Sequence, residues 1–162
     1  IAAHHESGDS LPGDLFKRLS AARRFQSARA MLRQLEFSIF DLRLHSRFDP
    51  DGEETIQQVL DDVRASLSVA EWPPYNRFQH AFSHIFAGGY AAGYYSYLWA
   101  EVLSADAFGA FEESGIFDSA TGQAFLNEVL EKGGVESPLD LFTAFRGRAP
   151  GIDALLHQSG LA

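Results

Sequence analysis

The sequence predicts an all-α fold, an irregular multi-helix domain rather than a symmetric bundle. Apolar residues recur at spacings of three or four, as in Leu32, Leu35 and Ile39, which places them on one face of a helix. Proline, glycine and serine stand where helices begin and end. No stretch alternates apolar and polar residues, and no two-residue hairpin turn joins β-branched runs. We therefore expect one helical segment over residues 1–162, long enough to bury a core.

Three helices are predicted in the first half of the chain, over residues 10–22, 24–46 and 56–67. Ser10 is the expected N-cap of the first helix, with Pro12 in its first turn. The second helix is long and amphipathic, and the Asp49-Pro50-Asp51-Gly52 sequence breaks the chain after it. The third helix ends before Trp72-Pro73-Pro74, because a residue that precedes proline disfavours the helical backbone conformation.

The second half is also predicted to be helical. The expected segments are a short helical piece at 77–82, a tyrosine-rich helix that follows Gly88-Gly89 and runs to Glu113, a helix that contains Ala124 to Leu130, and helices at 138–145 and 150–160. Gly133-Gly134 ends the helix that contains Ala124 to Leu130, since glycine is favoured just past a helix C-terminus. Ser137-Pro138 begins the next helix, and Gly160 ends the last one.

Composition restricts the class of protein. Hydrophobic residues make up 46% and charged residues 22%, as in globular proteins, and no apolar run is long enough for a transmembrane helix. A formal net charge of −9 argues against a duplex DNA or RNA partner. The lack of cysteine excludes a disulfide framework and a thiolate zinc site. We expect a cytoplasmic protein that binds neither nucleic acid nor membranes.

Basic residues are concentrated in the first third of the chain. They are Lys17, Arg18, Arg23, Arg24, Arg29, Arg33, Arg43 and Arg47. One interpretation is a set of solvated helix faces that lie beside acidic neighbours in the fold. The alternative is a site for an anion or for the carboxylate of a peptide.

The segment from His84 to Tyr97 says most about chemistry. Tyr90, Tyr94 and Tyr97 are spaced i, i+4 and i+7, so in a helix their hydroxyls would point from one face. A phenol is a neutral donor at pH 7 and can stabilise an oxyanion that forms in a transition state. Gly88-Gly89 would let the preceding loop move over a ligand. The alternative is that the tyrosines pack in the core with their hydroxyls bonded locally.

Two histidine patterns suggest a metal site, but neither completes one. His5-Glu6-Ser7-Gly8-Asp9 begins like the H-E-x-x-H zinc motif, yet Asp9 stands where the second histidine is required. We therefore interpret His4, His5 and Glu6 as a loop. His80 and His84 could also ligate a metal, but Ala81 replaces the glutamate that would act as base.

Segments spread over nearly the whole chain are specific enough to compare with known families. They are Gly8 to Pro12, Met31-Leu32-Arg33-Gln34-Leu35-Glu36-Phe37, His84 to Asp106, Gly115-Ile116-Phe117 and Phe145-Arg146-Gly147-Arg148. Together they resemble the C-terminal region of the thimet-oligopeptidase-like zinc metallopeptidases. The resemblance implies the C-terminal part of a zincin-type oligopeptidase catalytic domain.

The resemblance also implies roles for the tyrosine-rich segment. In that family an H-E-x-x-H helix and a downstream glutamate bind zinc, and short peptides are cut in a deep channel. Tyr97 is then the main donor to the oxyanion, and His84 and Tyr94 are the assisting catalytic residues. Tyr90, Gly88 and Gly89 bind the substrate. The resemblance suggests no role for Arg146 or Arg148, and a helix end at Gly147 is the simpler interpretation of that sequence.

The zinc-binding motif of that family is missing from these 162 residues. Because the chain also begins at Ile1 without a methionine, we expect the zinc ligands in an upstream part of a longer polypeptide. This segment would then bind no zinc and be inactive alone. Its partners would be short peptides, the N-terminal part of the polypeptide and, through exposed apolar surface, other copies of itself. The alternative is a non-enzymatic helical module that binds peptides or a partner chain.

Overall fold

The computed structural model describes residues 3–162, and within them the all-α prediction is confirmed. The α-helices of this range are α1 (Gly13–Arg23), α2 (Ser27–Ser46), α3 (Ile56–Leu67), α4 (Ser96–Ser114), α5 (Ser119–Phe125), α6 (Pro138–Arg146) and α7 (Asp153–Gln158). Two 3₁₀ turns, Phe78–Ala81 and Ser83–Ile85, precede α4, and a π-helical turn, Leu126–Leu130, follows α5. The described residues contain no strand beyond an isolated bridge between Ala3 and Ser10. Ile1 and Ala2, which the predicted domain includes, lie outside the described residues.

Helix α3 forms at the predicted residues because its sequence carries both a cap and an apolar face. The Thr55 hydroxyl accepts the backbone N–H of Gln58 at 3.2 Å, and the Gln58 side chain accepts the backbone N–H of Thr55 at 2.7 Å. This capping box satisfies two N–H groups that a helix start leaves without partners. Val59, Leu60 and Val63 are buried on the opposite side of the helix from its exposed acidic residues.

The start of the chain differs from the prediction in two places. Ser10 does not cap α1, since the helix begins after Pro12 and Ser10 pairs with Ala3 instead. Pro12 itself occupies the N-cap position with a non-helical ψ of 135°, so Ser10 lies too early to reach the free N–H groups. Gln26 has a left-handed backbone with φ 55°, which separates α1 from α2. The second helix therefore begins at Ser27 rather than near residue 24.

The tyrosine-rich helix begins later than predicted. α4 starts at Ser96, and residues 91–95 form turns. Ala92 has a left-handed backbone with φ 53°, which a helix cannot contain. Tyr90 and Tyr94 thus lie outside any helix, and the prediction that one helix face carries all three hydroxyls is wrong.

The last third follows the prediction with shorter elements. The helix expected to run from Ala124 to Leu130 is divided between α5 and the π-helical turn. α6 forms as predicted, with proline in its first turn. α7 is shorter than the predicted 150–160, because it begins only at Asp153.

The main hydrophobic core lies between α2, α3 and the segment that leads to α4. Phe40, Leu60 and Val63 have no exposed surface, and Ile85 has almost none. Phe82 and Tyr94 join this cluster from the connecting segment. The core thereby fixes the tyrosine-rich segment against α2.

A second packed layer is formed by α4 to α7. Leu141 and Phe142 of α6 are buried, as is Val102 of α4. Phe125 packs edge-on against Phe145, with ring centroids 5.2 Å apart. Because α4 continues directly from the tyrosine-rich segment, this layer anchors the other end of that segment.

A buried carboxylate, Asp106 on α4, ties this layer together and gives the Arg146-Gly147-Arg148 sequence a structural role. Asp106 accepts a bond from Arg148 at 2.7 Å and one from the N–H of Gly151 at 2.8 Å. Arg146 lies 3.4 Å from the same carboxylate and donates two bonds to Glu113. Gly147 ends α6 with φ 73°, which confirms the predicted helix end.

Asp106→Asn is expected to lower the free energy of unfolding by roughly 2 kcal/mol at pH 7, because it removes the charged acceptor of Arg148 and the negative charge beside the buried Arg146. The bond from Arg148 holds the pKa of Asp106 below its usual range. The stabilisation is therefore complete above the unfolded pKa of about 3.9 and disappears as the pH falls through the folded pKa. Thermal unfolding of the natural polypeptide that carries this chain, with and without the substitution, should show a difference that shrinks below about pH 4. A difference that stays constant down to pH 3 would contradict this assignment.

Helix α1 has no buried residue. Leu15, Phe16 and Leu19 are 45%, 58% and 62% exposed, so its apolar side faces solvent. Within residues 3–162 no helix has both the length and the apolar character needed to cross a membrane.

Candidate active site

Residues 83–90 form a compact loop that is closed by its own backbone. The Ser83 carbonyl accepts bonds from the amides of residues 86–88 at 2.8 to 3.2 Å. The His84 carbonyl accepts one from the amide of Tyr90 at 3.1 Å. His84 and Tyr90 are therefore held close together by main-chain bonds.

Two glycines make this closure geometrically possible. A Cβ atom on Gly88 would lie 2.9 Å from both Cα and O of His84, which is closer than real Cβ contacts. Gly89 has φ 79°, a left-handed conformation that glycine adopts at no steric cost. The segment predicted to be a hinge is thus a tightly packed turn in this structure.

The loop, the turn at 91–95 and the first turn of α4 bring four rings together, which we call the tyrosine cluster: His84, Tyr90, Tyr94 and Tyr97. Tyr90 stacks on Tyr97 with centroids 5.1 Å apart, and Tyr94 also lies 5.1 Å from Tyr97. His84 lies 6.3 Å from Tyr90 and 6.0 Å from Tyr94. All side chains that the sequence predicted to act together are neighbours, although a turn rather than a helix places them.

The members of the tyrosine cluster differ in exposure. Tyr97 is 41% exposed and His84 is also open to solvent, while Tyr90 is half-buried. Tyr94 is only 8% exposed, and its hydroxyl donates to Gln34 Oε1 at 3.1 Å. A bound molecule could therefore reach the hydroxyl of Tyr97, whereas that of Tyr94 is occupied by α2.

Two phenols of the cluster, Tyr94 and Tyr97, have pKa values raised above the usual range and so stay protonated at neutral pH. The neighbouring Tyr90 hydroxyl raises the pKa of Tyr97 above its usual value. Burial raises the pKa of Tyr94, and the positive charge of Arg33 opposes this in part. Protonated phenols are hydrogen-bond donors, which is the state that an oxyanion requires.

Helix α2 anchors this segment through residues that sequence reasoning did not identify. Gln34 accepts from the Tyr94 hydroxyl, and Phe37 packs edge-on against the Tyr94 ring at 5.6 Å. Asp41 Oδ1 accepts the backbone N–H of Ala92 and Oδ2 that of Tyr94, both at 2.9 Å. The carboxylate of Asp41, which follows the buried Phe40 on the core-facing side of α2, is the signal in the sequence that points to such an anchor.

No group of three metal ligands forms around the described histidines. Among residues 3–162, no group of three or more His, Cys, Asp or Glu side chains is placed to hold a metal ion. The Nδ1 atom of His4 accepts the backbone N–H of Ser7 at 3.3 Å, so the predicted loop at His4 to Glu6 is confirmed. The zinc ligands of an H-E-x-x-H motif thus have no counterpart in the described residues.

A separate cleft of about 610 Å³ lies between the start of α2 and the end of α3, away from the tyrosine cluster. Arg33 lines it and pairs with Glu36 at 2.6 Å, and Arg64 also pairs with Glu36 at 2.9 Å. The Arg33 guanidinium additionally stacks over the ring of Trp72 at 4.7 Å. Because Arg33 is paired with Glu36, it agrees with the interpretation that the basic residues lie beside acidic neighbours, rather than with an anion site.

Comparison with known proteins identifies relatives along the whole chain. The family model described as "Peptidase family M3" matches residues 1–161. The chain is 53% identical to oligopeptidase A of Escherichia coli strain K12 over 161 residues, which cover 99% of this chain and 24% of that protein. It is 51% identical over 167 residues to a probable cytosolic oligopeptidase A of Arabidopsis thaliana, with coverage of 99% and 24%. It is 35% identical over 162 residues to dipeptidyl carboxypeptidase of Salmonella typhimurium, again with 99% and 24% coverage.

The chain spans about a quarter of the length of these relatives. The match nevertheless includes nearly every residue of the chain, as the resemblance in its sequence implied. This chain belongs to peptidase family M3.

Proposed function

We propose that the natural polypeptide carrying this chain is a zinc-dependent oligopeptidase and that this segment supplies its oxyanion donor and part of its peptide-binding surface. The observation that carries the proposal is the exposed Tyr97 hydroxyl within a packed ring cluster. Membership of a peptidase family and similarity to proteins named oligopeptidase A support the reaction class. Short peptides are the proposed substrates.

Within this reaction Tyr97 donates a hydrogen bond to the carbonyl oxygen of the scissile peptide as negative charge develops on it. The donor is useful because it stabilises the transition state more than the ground state. The exposed His84 assists at the same oxygen from the loop. Tyr94 assists through its ring, which packs against Tyr97 while its hydroxyl remains on Gln34.

The closed loop places the peptide beside this donor. Tyr90 stacks on Tyr97 and presents its hydroxyl next to it, where it can bond to the substrate backbone. Gly88 and Gly89 are exposed and have no side chains, so an extended peptide can approach the loop backbone closely. The substrate-binding role of these three residues is part of the proposal.

We propose that the zinc ligands lie in a part of the natural polypeptide other than the described residues. When bound, zinc polarises a peptide carbonyl and activates water for attack. The described residues do not provide a ligand set, so this chain's contribution is limited to binding and to hydrogen-bond donation. We therefore propose that the 162-residue segment binds no zinc and is inactive alone.

Cleavage of a quenched fluorescent peptide tests the proposal. The natural polypeptide is expected to cleave the peptide, to lose this activity when a chelator removes the metal, and to regain it when zinc is added. The isolated 162-residue segment is expected to give no cleavage with zinc present. If the zinc-loaded polypeptide does not cleave a varied set of short peptides, the proposed peptidase activity is wrong. If the segment alone cleaves them, its proposed inactivity is wrong.

The exposed apolar face of α1 supports a second part of the proposal. Leu15, Phe16 and Leu19 would be covered by the N-terminal part of the same polypeptide, and in the isolated segment by other copies of it. A cytoplasmic location is proposed from similarity to a relative named cytosolic.

A non-enzymatic module that binds peptides or a partner chain stays the alternative. It predicts peptide binding without cleavage by the zinc-loaded polypeptide.

A further inference from the structure

A buried carboxylate on α2 holds the backbone that leads into the tyrosine cluster. Asp41 has no exposed surface. Its Oδ1 accepts the N–H of Ala92 at 2.9 Å, and its Oδ2 accepts the N–H of Tyr94 at the same distance. The ring nitrogen Nδ1 of His45, one turn later on α2, lies 2.8 Å from Oδ1. Both carboxylate oxygens are thus engaged, and two of the bonds reach across from α2 to the turn before α4.

These bonds act where the local backbone is least favourable. Ala92 has φ 53°, a conformation that residues with a side chain seldom adopt unless surrounding contacts impose it. The turn at 91–95 has no helical ladder of its own. The carboxylate of Asp41 bridges this turn and holds Ala92 in the left-handed conformation.

The position of the turn determines the position of Tyr97. The Tyr94 carbonyl accepts the N–H of Tyr97 at 3.3 Å, and the Gly93 carbonyl accepts that of Ser96 at 3.1 Å, so the first turn of α4 is built on these residues. The Tyr94 ring also packs against the Tyr97 ring. A shift at the amide of Tyr94 is therefore transmitted to the Tyr97 hydroxyl through both the main chain and the ring.

We propose that Asp41 is a positioning residue for the Tyr97 hydroxyl in peptide hydrolysis, an inference that rests on the proposed function. An oxyanion donor must lie at hydrogen-bond distance from where the charge develops, and a misplacement of about 1 Å can cost on the order of 10² in rate. Asparagine cannot replace Asp41, because its amide NH₂ would face a backbone N–H. One of the two amides would then lose its acceptor and the turn would be free to shift.

A double-mutant cycle in the natural polypeptide tests this role. Asp41→Asn alone is expected to lower kcat by at least about tenfold with a small change in KM, since the misplaced donor acts in the transition state. In the Tyr97→Phe background the same substitution is expected to lower kcat by less than about twofold, because the hydroxyl to be positioned is already gone. A residue with a merely structural role would lower kcat by the same factor in both backgrounds.

Asp106→Asn is the matched control. Asp106 is also a buried carboxylate that accepts a backbone N–H, and it lies nine residues after Tyr97 on α4. Its substitution is expected to have the same effect on kcat with and without the Tyr97 hydroxyl. If Tyr97→Phe alone leaves kcat unchanged, the proposed donor role fails. Suppose instead that Tyr97→Phe lowers kcat, and that adding Asp41→Asn to this variant lowers kcat by the same factor as Asp41→Asn does in the wild-type polypeptide. The positioning role of Asp41 is then wrong.

A milder variant keeps the test decisive if Asp41→Asn does not fold. His45→Ala removes the third partner of the Asp41 carboxylate but keeps both bonds to the turn. Its side chain is 26% exposed, so the substitution leaves the core intact. We expect a smaller loss in kcat that disappears in the Tyr97→Phe background. An equal loss in both backgrounds would overturn the inference.

Discussion

Tyr97→Phe in the natural polypeptide is expected to lower kcat by about 10²–10³-fold and to change KM little. The substitution removes one hydroxyl and keeps the ring, so the packing of Tyr97 against Tyr90 and Tyr94 is preserved. A phenol with its ordinary pKa of about 10 is protonated at neutral pH, and the raised pKa of Tyr97 acts in the same direction, so this hydroxyl can donate to an oxyanion. Steady-state kinetics on a quenched fluorescent peptide measure the effect.

Tyr95→Phe is the matched control for this substitution. Tyr95 lies two residues before Tyr97 and is 49% exposed, so it resembles Tyr97 in chemistry and exposure. It belongs to the turn but not to the tyrosine cluster, and the loss of its hydroxyl is expected to change kcat by less than about threefold. Equal kcat for Tyr97→Phe and the wild-type polypeptide would reduce the role of Tyr97 to packing.

Local signals in the sequence determine most of the helices. α3 could be placed from its apolar residues at helical spacing, and the cap that Thr55 and Gln58 form at its start is a further local signal. α6 could be placed for a similar reason, since proline occupies its first turn and Gly147 ends it. Such signals act over a few residues and are visible without knowledge of the fold.

The backbone around the tyrosine cluster could not be predicted in this way. The spacing of Tyr90, Tyr94 and Tyr97 matches a helix, yet Ala92 adopts a left-handed conformation that no local sequence signal marks. The cause lies 51 residues away, where the Asp41 carboxylate accepts the amide of Ala92. A long-range bond of this kind overrides local preference, so the sequence predicted which rings meet but not the conformation that joins them.

The family resemblance supplied what local signals could not. It singled out His84 and the three tyrosines as a unit, and the structure places their rings within contact distance. The anchoring roles of Gln34 and Asp41 were not predicted, because an analysis of helix periodicity counts a polar residue on an apolar face only as a break in the apolar pattern. In this structure these polar residues are the connection between the main core and the candidate site.

Gly88→Ala in the natural polypeptide is expected to lower kcat/KM by about 10²-fold. The added Cβ atom would lie 2.9 Å from Cα and O of His84, and backbone atoms cannot move aside as a flexible side chain can. The loop must therefore shift, and His84 and Tyr90, which the same backbone bonds connect, shift with it. A displacement of about 1 Å in a reacting geometry is enough for such a loss.

Gly93→Ala is the matched control in the same segment. An added Cβ there would meet its nearest atom, the Tyr90 carbonyl oxygen, at 3.4 Å, which is an ordinary contact, and Gly93 is not among the positive-φ glycines. We expect this variant to keep kcat/KM within about threefold of wild type. Because residues 86–89 are exposed, Gly88→Ala should leave the thermal unfolding temperature nearly unchanged, which separates a displaced loop from a lost fold. If both alanine variants cleave the peptide equally well, the close packing of Gly88 on His84 does not set the geometry of the site.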